Sequence, residues 1–364
     1  MKIAIRTDSS HQIGSGHIIR CLTLARGLKE IGHECYFICR NLEGNLNFKV
    51  LEEFNLIELR KPSLKNLNNS SSSLKHENWA EVHWQIDALE TNAKLSGFDF
   101  IICDHYSFDW RWEKLISKSG IKMMVIDDLA DRRHKCDLLL DATLGRSIFE
   151  YEDLTDKNTF LIVGVEYALL RPEFKQLRSK SIEKRSNRDI KNILICLGSM
   201  DNNNLIPQIL LNLNSLFISK NLEINILISS KAQNLEIIKN IISEISHPIN
   251  IYTDNNDVGN IMMKTDIAIS SCGLIFYELA TMAVPTILIP VSDIQMKMAR
   301  IFVKLSNCNM LLNPNSGIDN LKKLLKKMIL DIKYNKIPRA NKIQKFDGEG
   351  LDRVLKIIES KIAL

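Results

Sequence analysis

Short apolar runs alternate with longer amphipathic segments from one end of this chain to the other, and that alternation limits its fold more than any single motif. "KIAIR", "CYFIC", "FDFIICD", "KMMVIDD" and "DLLLD" have the length and content of buried strands. Between them, "GHIIRCLTLARGLKEIG" and "WRWEKLISKSG" carry the helical period. In the first, Ile18, Cys21, Leu22, Ala25 and Leu28 fall on one face, and Gly32 follows as a stop. Strands separated by helices must pair in parallel and have both faces covered, which makes this an α/β protein.

The pattern then restarts. "LIVGVEYALLRPEF" closes the first half, and the polar, basic "KQLRSKSIEKRSNRDIK" lacks strand character. "NILICLGS", "EINILISS", "NIYTD", "DIAISS" and "PTILIPV" follow as strands of a second half. With 364 residues the chain exceeds what one core usually supports. The expected division is therefore residues 1–170, a linker at 171–190, a second domain at 191–348, and a closing helix at 349–364 that could pack across the domain junction. The polar, low-complexity stretch at 65–78 is expected to be a mobile loop without a catalytic part. Composition (45% hydrophobic, 25% charged) is that of a soluble globular protein. The net charge of +5 is dispersed, so no nucleic-acid partner is expected. Eight cysteines show no C-x-x-C pair and sit largely in apolar runs, as reduced thiols in a cytoplasmic protein do. No apolar stretch of ~18 residues occurs, so no membrane partner is expected. A monomer is expected.

In open parallel sheets, ligands lie beyond the carboxyl ends of the strands. Asp8-Ser9, Asp104-His105-Tyr106, Asp127-Asp128, Gly198-Ser199, Thr253-Asp254, Ser270–Gly273 and Val291–Asp293 all fall at such ends. Two such domains would face a central cleft, the default active site. "GSGH" at 14–17 fails as a dinucleotide fingerprint because Ile19 stands where the third glycine belongs, and no Walker loop is present. "LGSMDNNN" and "SSCGLIFYELA" place small turns before helices, where free N–H groups suit a diphosphate. Glu278, farther along the second of these helices, could accept two ribose hydroxyls or be an ordinary solvated glutamate. His17, in the first turn of a helix, could satisfy local backbone groups or act as a base, since the positive helix end favours neutral imidazole. Asp8, Asp104 and His105 are alternative orienting groups, and spacing does not choose among them.

The run "RTDSSHQIGSGHIIRCLTLARGL", with "DHY", "YALLRPEF", "LGS", "GLIFYELATMAVPTILI" and "DGEGLDRV", resembles the UDP-2,4-diacetamido-2,4,6-trideoxy-β-L-altropyranose hydrolase family of pseudaminic acid biosynthesis. Its helix motif at 273–289 is shared more widely with GT-B glycosyltransferases. The resemblance implies a GT-B-like fold of two Rossmann-like domains with parallel sheets, with UDP held mainly by the C-terminal one. It implies His17 as the base that activates water at the anomeric carbon, with C–O cleavage, inversion, no metal and no cofactor. It places Asp8, Gly16, Tyr106 and Arg171 near the sugar. Gly198, Ser199, Cys272, Gly273, Glu278 and Gln295 fall near the nucleotide. Asp293 stands where the family commonly has asparagine. A glycosyltransferase using a UDP-sugar donor and a catalytically silent binding protein are the alternatives, the latter having no need of the histidine.

Overall fold

The computed structural model describes residues 1–61, 74–118, 120–185, 190–198, 200–201, 203–214, 222–255, 257–305, 310–312, 320–334 and 344–362. In chain order the first half runs β1 (Lys2–Thr7), α1 (Gly16–Glu30), β2 (Glu34–Arg40), α2 (Asn47–Leu51), β3 (Asn55–Leu59), α3 (Trp84–Asn92), β4 (Phe100–Asp104), α4 (Trp110–Ser117), β5 (Lys122–Ile126), β6 (Leu138–Asp141) and β7 (Phe160–Val163). The second runs α5 (Pro172–Lys184), β8 (Asn192–Cys196), α6 (Leu205–Asn214), β9 (Glu223–Ile228), α7 (Leu235–Ile242) and β10 (Ile249–Thr253). It continues with α8 (Val258–Lys264), β11 (Ile267–Ser270), α9 (Leu274–Thr281), β12 (Thr286–Leu288), α10 (Asp293–Leu305), β13 (Met310–Leu311) and α11 (Asn320–Lys333), before α12 (Gly350–Ile362) ends the chain.

Two compact units result, Met1–Leu169 with Glu349–Leu364, and Leu170–Gly348. The first carries a parallel sheet in the order β3-β2-β1-β4-β5-β6-β7, the second one in the order β10-β9-β8-β11-β12-β13. In each, the chain moves outward one way and then restarts on the other side of its first strand. The reversal falls between β1 and β4, and between β8 and β11, where side chains beyond the strand ends are free to meet a ligand.

Strand alternation assigns the two faces of the first sheet. Ile3, Ile5, Phe100 and Ile102 join Ile18, Cys21, Leu22, Ala25 and Leu28 of α1 in one core, closed by Leu351, Val354, Leu355 and Ile358 of α12. Ala4, Ile101 and Cys103 point the other way, to Ala88, Trp112 and Ile116 of α3 and α4. Helix α12 thus belongs to the first unit. It starts so close to the chain that a Cβ on Gly350 would lie 2.2 Å from the carbonyl oxygen of Ala168. All ten expected strands are present. The edge strands β3, only partly buried, and β13, two residues long, carry too weak a pattern to be read in advance. The expected linker at 171–190 is corrected: Pro172–Lys184 is a helix. Its Phe174 and Ser181 are buried, Ser181 and Arg178 donate to the Met282 and Thr281 carbonyls, and Pro172 supplies a helix-start signal. Polarity there marks a solvated helix face rather than a break. Among the described residues no helix is long and apolar enough to cross a membrane.

Candidate active site

The turn before α1 is built by Ser10, whose Oγ accepts the N–H groups of Gln12 and Ile13 at 3.2 and 3.1 Å. Gly14 closes it at φ +79°, a left-handed conformation that needs glycine. Gly16 has no such need and opens α1, with open space where a Cβ would point. His17 follows in the first turn and is buried.

Register now selects its partner. Thr7 of β1 pairs with Asp104 of β4, so the ends of both strands are level. By alternation Asp104 continues the α1 side and His105 the opposite one. His17 Nδ1 lies 2.6 Å from Asp104 Oδ1. Arg20, one turn further along α1, clamps the same carboxylate through Nε and Nη2, each at 2.6 Å, and reaches Asp128 Oδ2 with Nη1 at 2.6 Å. Cys21 Sγ donates to Asp104 Oδ2 at 3.4 Å. Burial opposes ionisation of Asp104, but the Arg20 guanidinium and His17 hold its carboxyl well below the usual carboxylate range. An ionised Asp104 can only accept, so Nδ1 carries a proton, and the neutral tautomer that fits this contact has its lone pair on Nε2. That is an acid-oriented imidazole fit to act as a base. Tyr106 completes the group. Its ring meets His17 edge-on at 4.5 Å between centroids, and its hydroxyl donates to Asp128.

Asp8, expected near the sugar, is fully buried with its oxygens engaged by protein. Arg6 grips it through Nη1 and Nη2 at 2.6 and 2.8 Å, and the Arg40 backbone N–H donates at 2.7 Å. His105 Nε2 lies 3.1 Å away. Since His105 Nδ1 accepts from the Ser107 N–H at 3.1 Å, its proton sits on Nε2, facing Asp8. Asp8 and His105 therefore belong to the frame on the far face of the sheet.

In the second unit Gly198, two residues past β8, has φ +91°, while Ser199 lies outside the described residues. The first amides of α6 are taken by its own chain, since Asp201 accepts from Leu205 and Ile206 N–H at 3.0 Å each. Helix α9 differs: Gly273 is its N-cap, no side chain caps it, and space is open where a Cβ would point. Of the two turns expected to suit a diphosphate, the one before α9 lacks a side-chain cap on its helix, although the Ser271, Cys272 and Phe276 N–H groups already donate to the Cys196 carbonyl, Gln295 Oε1 and the Gly273 carbonyl. Gln295 Oε1 fixes the adjoining loops by accepting from Cys272 and Val291 N–H at 3.3 and 3.1 Å. Glu278 is buried within α9, and burial pushes its carboxyl up to about 7, with Arg171 opposing and Glu173 adding to the rise. Arg171 Nη2 lies 3.5 Å from Glu278 Oε1, which groups two residues that sequence had assigned to different parts of the substrate. Asp293 is exposed in the first turn of α10, where a carboxylate complements the helix dipole.

Arg20, His76 and Trp79 escaped the reading of the sequence. Arg20 had a signal, since it lies three residues after His17 on the same helix face. His76 and Trp79 had none; His76 falls within the 65–78 stretch, of which no catalytic part was expected. Residues 62–73 lie outside the described residues, but the 3-10 turn Glu77–Ala80 brings Trp79 to 6.2 Å from the His17 ring.

Over 280 residues the chain is 30% identical to UDP-2,4-diacetamido-2,4,6-trideoxy-beta-L-altropyranose hydrolase of Campylobacter jejuni, covering 76% of this chain and 87% of that protein. Residues 192–354 match the glycosyltransferase family 28 C-terminal domain. Among solved structures, S. aureus MnaA with UDP aligns at TM-score 0.65 and 12% identity, covering 100% of this chain and 97% of that one. Acinetobacter baumannii MurG aligns at TM-score 0.61 and 12% identity over 99% of both chains. The structural likenesses establish a GT-B-like fold. With the likeness in sequence to the Campylobacter protein, they make this chain a member of the UDP-2,4-diacetamido-2,4,6-trideoxy-β-L-altropyranose hydrolase family.

Proposed function

We propose that this protein removes UDP from a UDP-linked 2,4-diacetamido-2,4,6-trideoxyhexose, the altropyranose named for its Campylobacter relative, by activating water. The carrying observation is the 2.6 Å contact between His17 Nδ1 and Asp104, which leaves Nε2 as the basic nitrogen. His17 Nε2 takes a proton from water as the water oxygen bonds to the anomeric carbon. The bond from that carbon to the phosphate oxygen breaks, its electron pair leaves with UDP, and the free sugar has inverted configuration. Asp104 stabilises the imidazolium as it forms. The amides at the start of α9 receive the diphosphate, and Glu278 accepts from the ribose hydroxyls. Tyr106, Gly16 and Arg171 serve the sugar, and Asp8 does so by holding the strand ends in place. The role assigned to each residue calls for no metal and no cofactor. Free, mostly buried cysteines suit a reducing compartment, the cytoplasm.

The test is turnover of that UDP-sugar in ¹⁸O-water without acceptor. Label in the sugar and none in UDP supports attack at carbon. Label in UDP means attack at phosphorus and overturns the mechanism. The match to a glycosyltransferase domain over residues 192–354 favours one second reading, transfer to an acceptor hydroxyl. Turnover only when an acceptor is added would establish it.

A further inference from the structure

Beside His17 the first unit presents aromatic carbon where a sugar site would ordinarily be polar. Trp79 stacks on Tyr106 with centroids 5.5 Å apart and an interplanar angle of 27°, and His76 lies 4.3 Å from Trp79 and 5.7 Å from Tyr106. All three are only partly buried, whereas the core aromatics beneath them, Phe108 and Trp112, are 1% and 0% exposed. The cluster is anchored to the site rather than draped over it. Ser107, next to Tyr106, donates from Oγ to the His76 carbonyl at 2.7 Å and accepts the Ala80 N–H at 3.1 Å. Burial lowers the pKa of His76, with Lys75 and Arg132 adding to the effect against Asp131, so at neutral pH it is an uncharged ring. An exposed apolar group beside a candidate base needs a ligand with an apolar face.

We infer that His76, Trp79 and Tyr106 form a shelf that receives the apolar side of the substrate's sugar and so selects a deoxygenated, N-acetylated hexose. This rests on the hydrolase reading. A 2,4-diacetamido-2,4,6-trideoxyhexose carries a C6 methyl and two acetamido methyls in place of hydroxyls. These groups, together with ring C–H bonds, pack on indole and phenol faces, which would leave a hydroxyl poorly solvated. Tyr106 links the shelf to the chemistry through its edge contact with His17. Trp79 and His76 are specificity-determining residues, and neither takes a proton in the reaction.

The experiment measures Kd by calorimetry for UDP and for the intact UDP-trideoxy sugar in a His17→Asn background, which prevents hydrolysis. Trp79→Ala and Trp79→Phe are added to that background. In Trp79→Ala, UDP binds as before and the UDP-sugar binds about tenfold more weakly, whereas Trp79→Phe recovers most of the loss. An unchanged circular dichroism spectrum and thermal melt show that the first unit, which holds Trp79, is folded in each variant, and unchanged UDP affinity shows the same of the second. The shelf is refuted if the ratio of the two Kd values is the same with and without Trp79, or if the sugar adds nothing to UDP binding in the background protein. Turnover by the wild-type protein is scored separately. Its absence overturns the hydrolase reading, while the Kd ratio still decides the shelf.

Discussion

Replacing Asp104 by asparagine tests the His17 assignment most directly. The side chain keeps its size but loses its charge. Its oxygens now accept from His17 and twice from Arg20 at 2.6 Å, and from Cys21 at 3.4 Å. An amide has one acceptor. If its carbonyl faces His17, its NH₂ confronts Arg20 Nε, and if it faces Nε, the NH₂ confronts His17 Nδ1 and reverses the tautomer. Either way the anion that stabilises the nascent imidazolium is gone. Charge centres roughly 4 Å apart interact by about 4 kcal/mol at an effective dielectric of 20. At 1.36 kcal/mol per decade that is ~10³ in rate. Arg20, bound to the same carboxylate, offsets part of it, so a fall in kcat of about 10²–10³ is expected. Kd for the UDP-sugar should change little, since Asp104 is fully buried behind His17. Single-turnover kinetics give the rate, and ¹⁵N NMR of labelled histidine gives the tautomer in the wild-type protein. A folded Asp104→Asn protein with kcat within fivefold of wild type would refute the argument. So would a wild-type spectrum with the proton on Nε2.

Four further outcomes are expected. Uridine, which carries no phosphate to titrate, should bind more tightly as pH rises from 5.5 through about 7, because ionised Glu278 accepts from both ribose hydroxyls; in Glu278→Gln the dependence should be flat. His134, between Glu113 at 2.7 Å and Asp127 at 3.7 Å, is raised to about 9 by those carboxylates against the effect of burial. Its contribution to stability is complete below its ordinary pKa and is lost as pH climbs through 9, so the urea midpoint should decline over that window and decline less in His134→Asn. Gly198→Ala should cost about 1–2 kcal/mol through its φ of +91° even though a Cβ meets nothing within 4 Å, and thermal melts will show it. Gly273→Ala, with ordinary φ and open space, should leave the melt unchanged.

Much of the architecture was legible because period-2 apolar runs and amphipathic stretches are local properties. The face of α1, the stop at Gly32, the strand ends and the position of His17 at a helix start all follow from neighbours a few residues away. The short, half-exposed edge strands β3 and β13 and the helix at 172–184 were not legible, since little buried apolar surface marks them.

The partner of His17 is of another kind. Sequence alone shows that Asp104 and His105 point to opposite faces of their strand, but not which face α1 covers. The tertiary structure decides it. Helix α1 packs on the Ile3, Ile5, Phe100 and Ile102 side, so Asp104 meets His17 and Arg20, while His105 turns away to Asp8. Likewise nothing local to Trp79 reveals that its turn is tied to Ser107, 28 residues on. The sequence determined which chemical groups stand at the ends of the strands. Only the packing of helices on sheet faces, a sum of long-range apolar contacts, decided which of those groups touch.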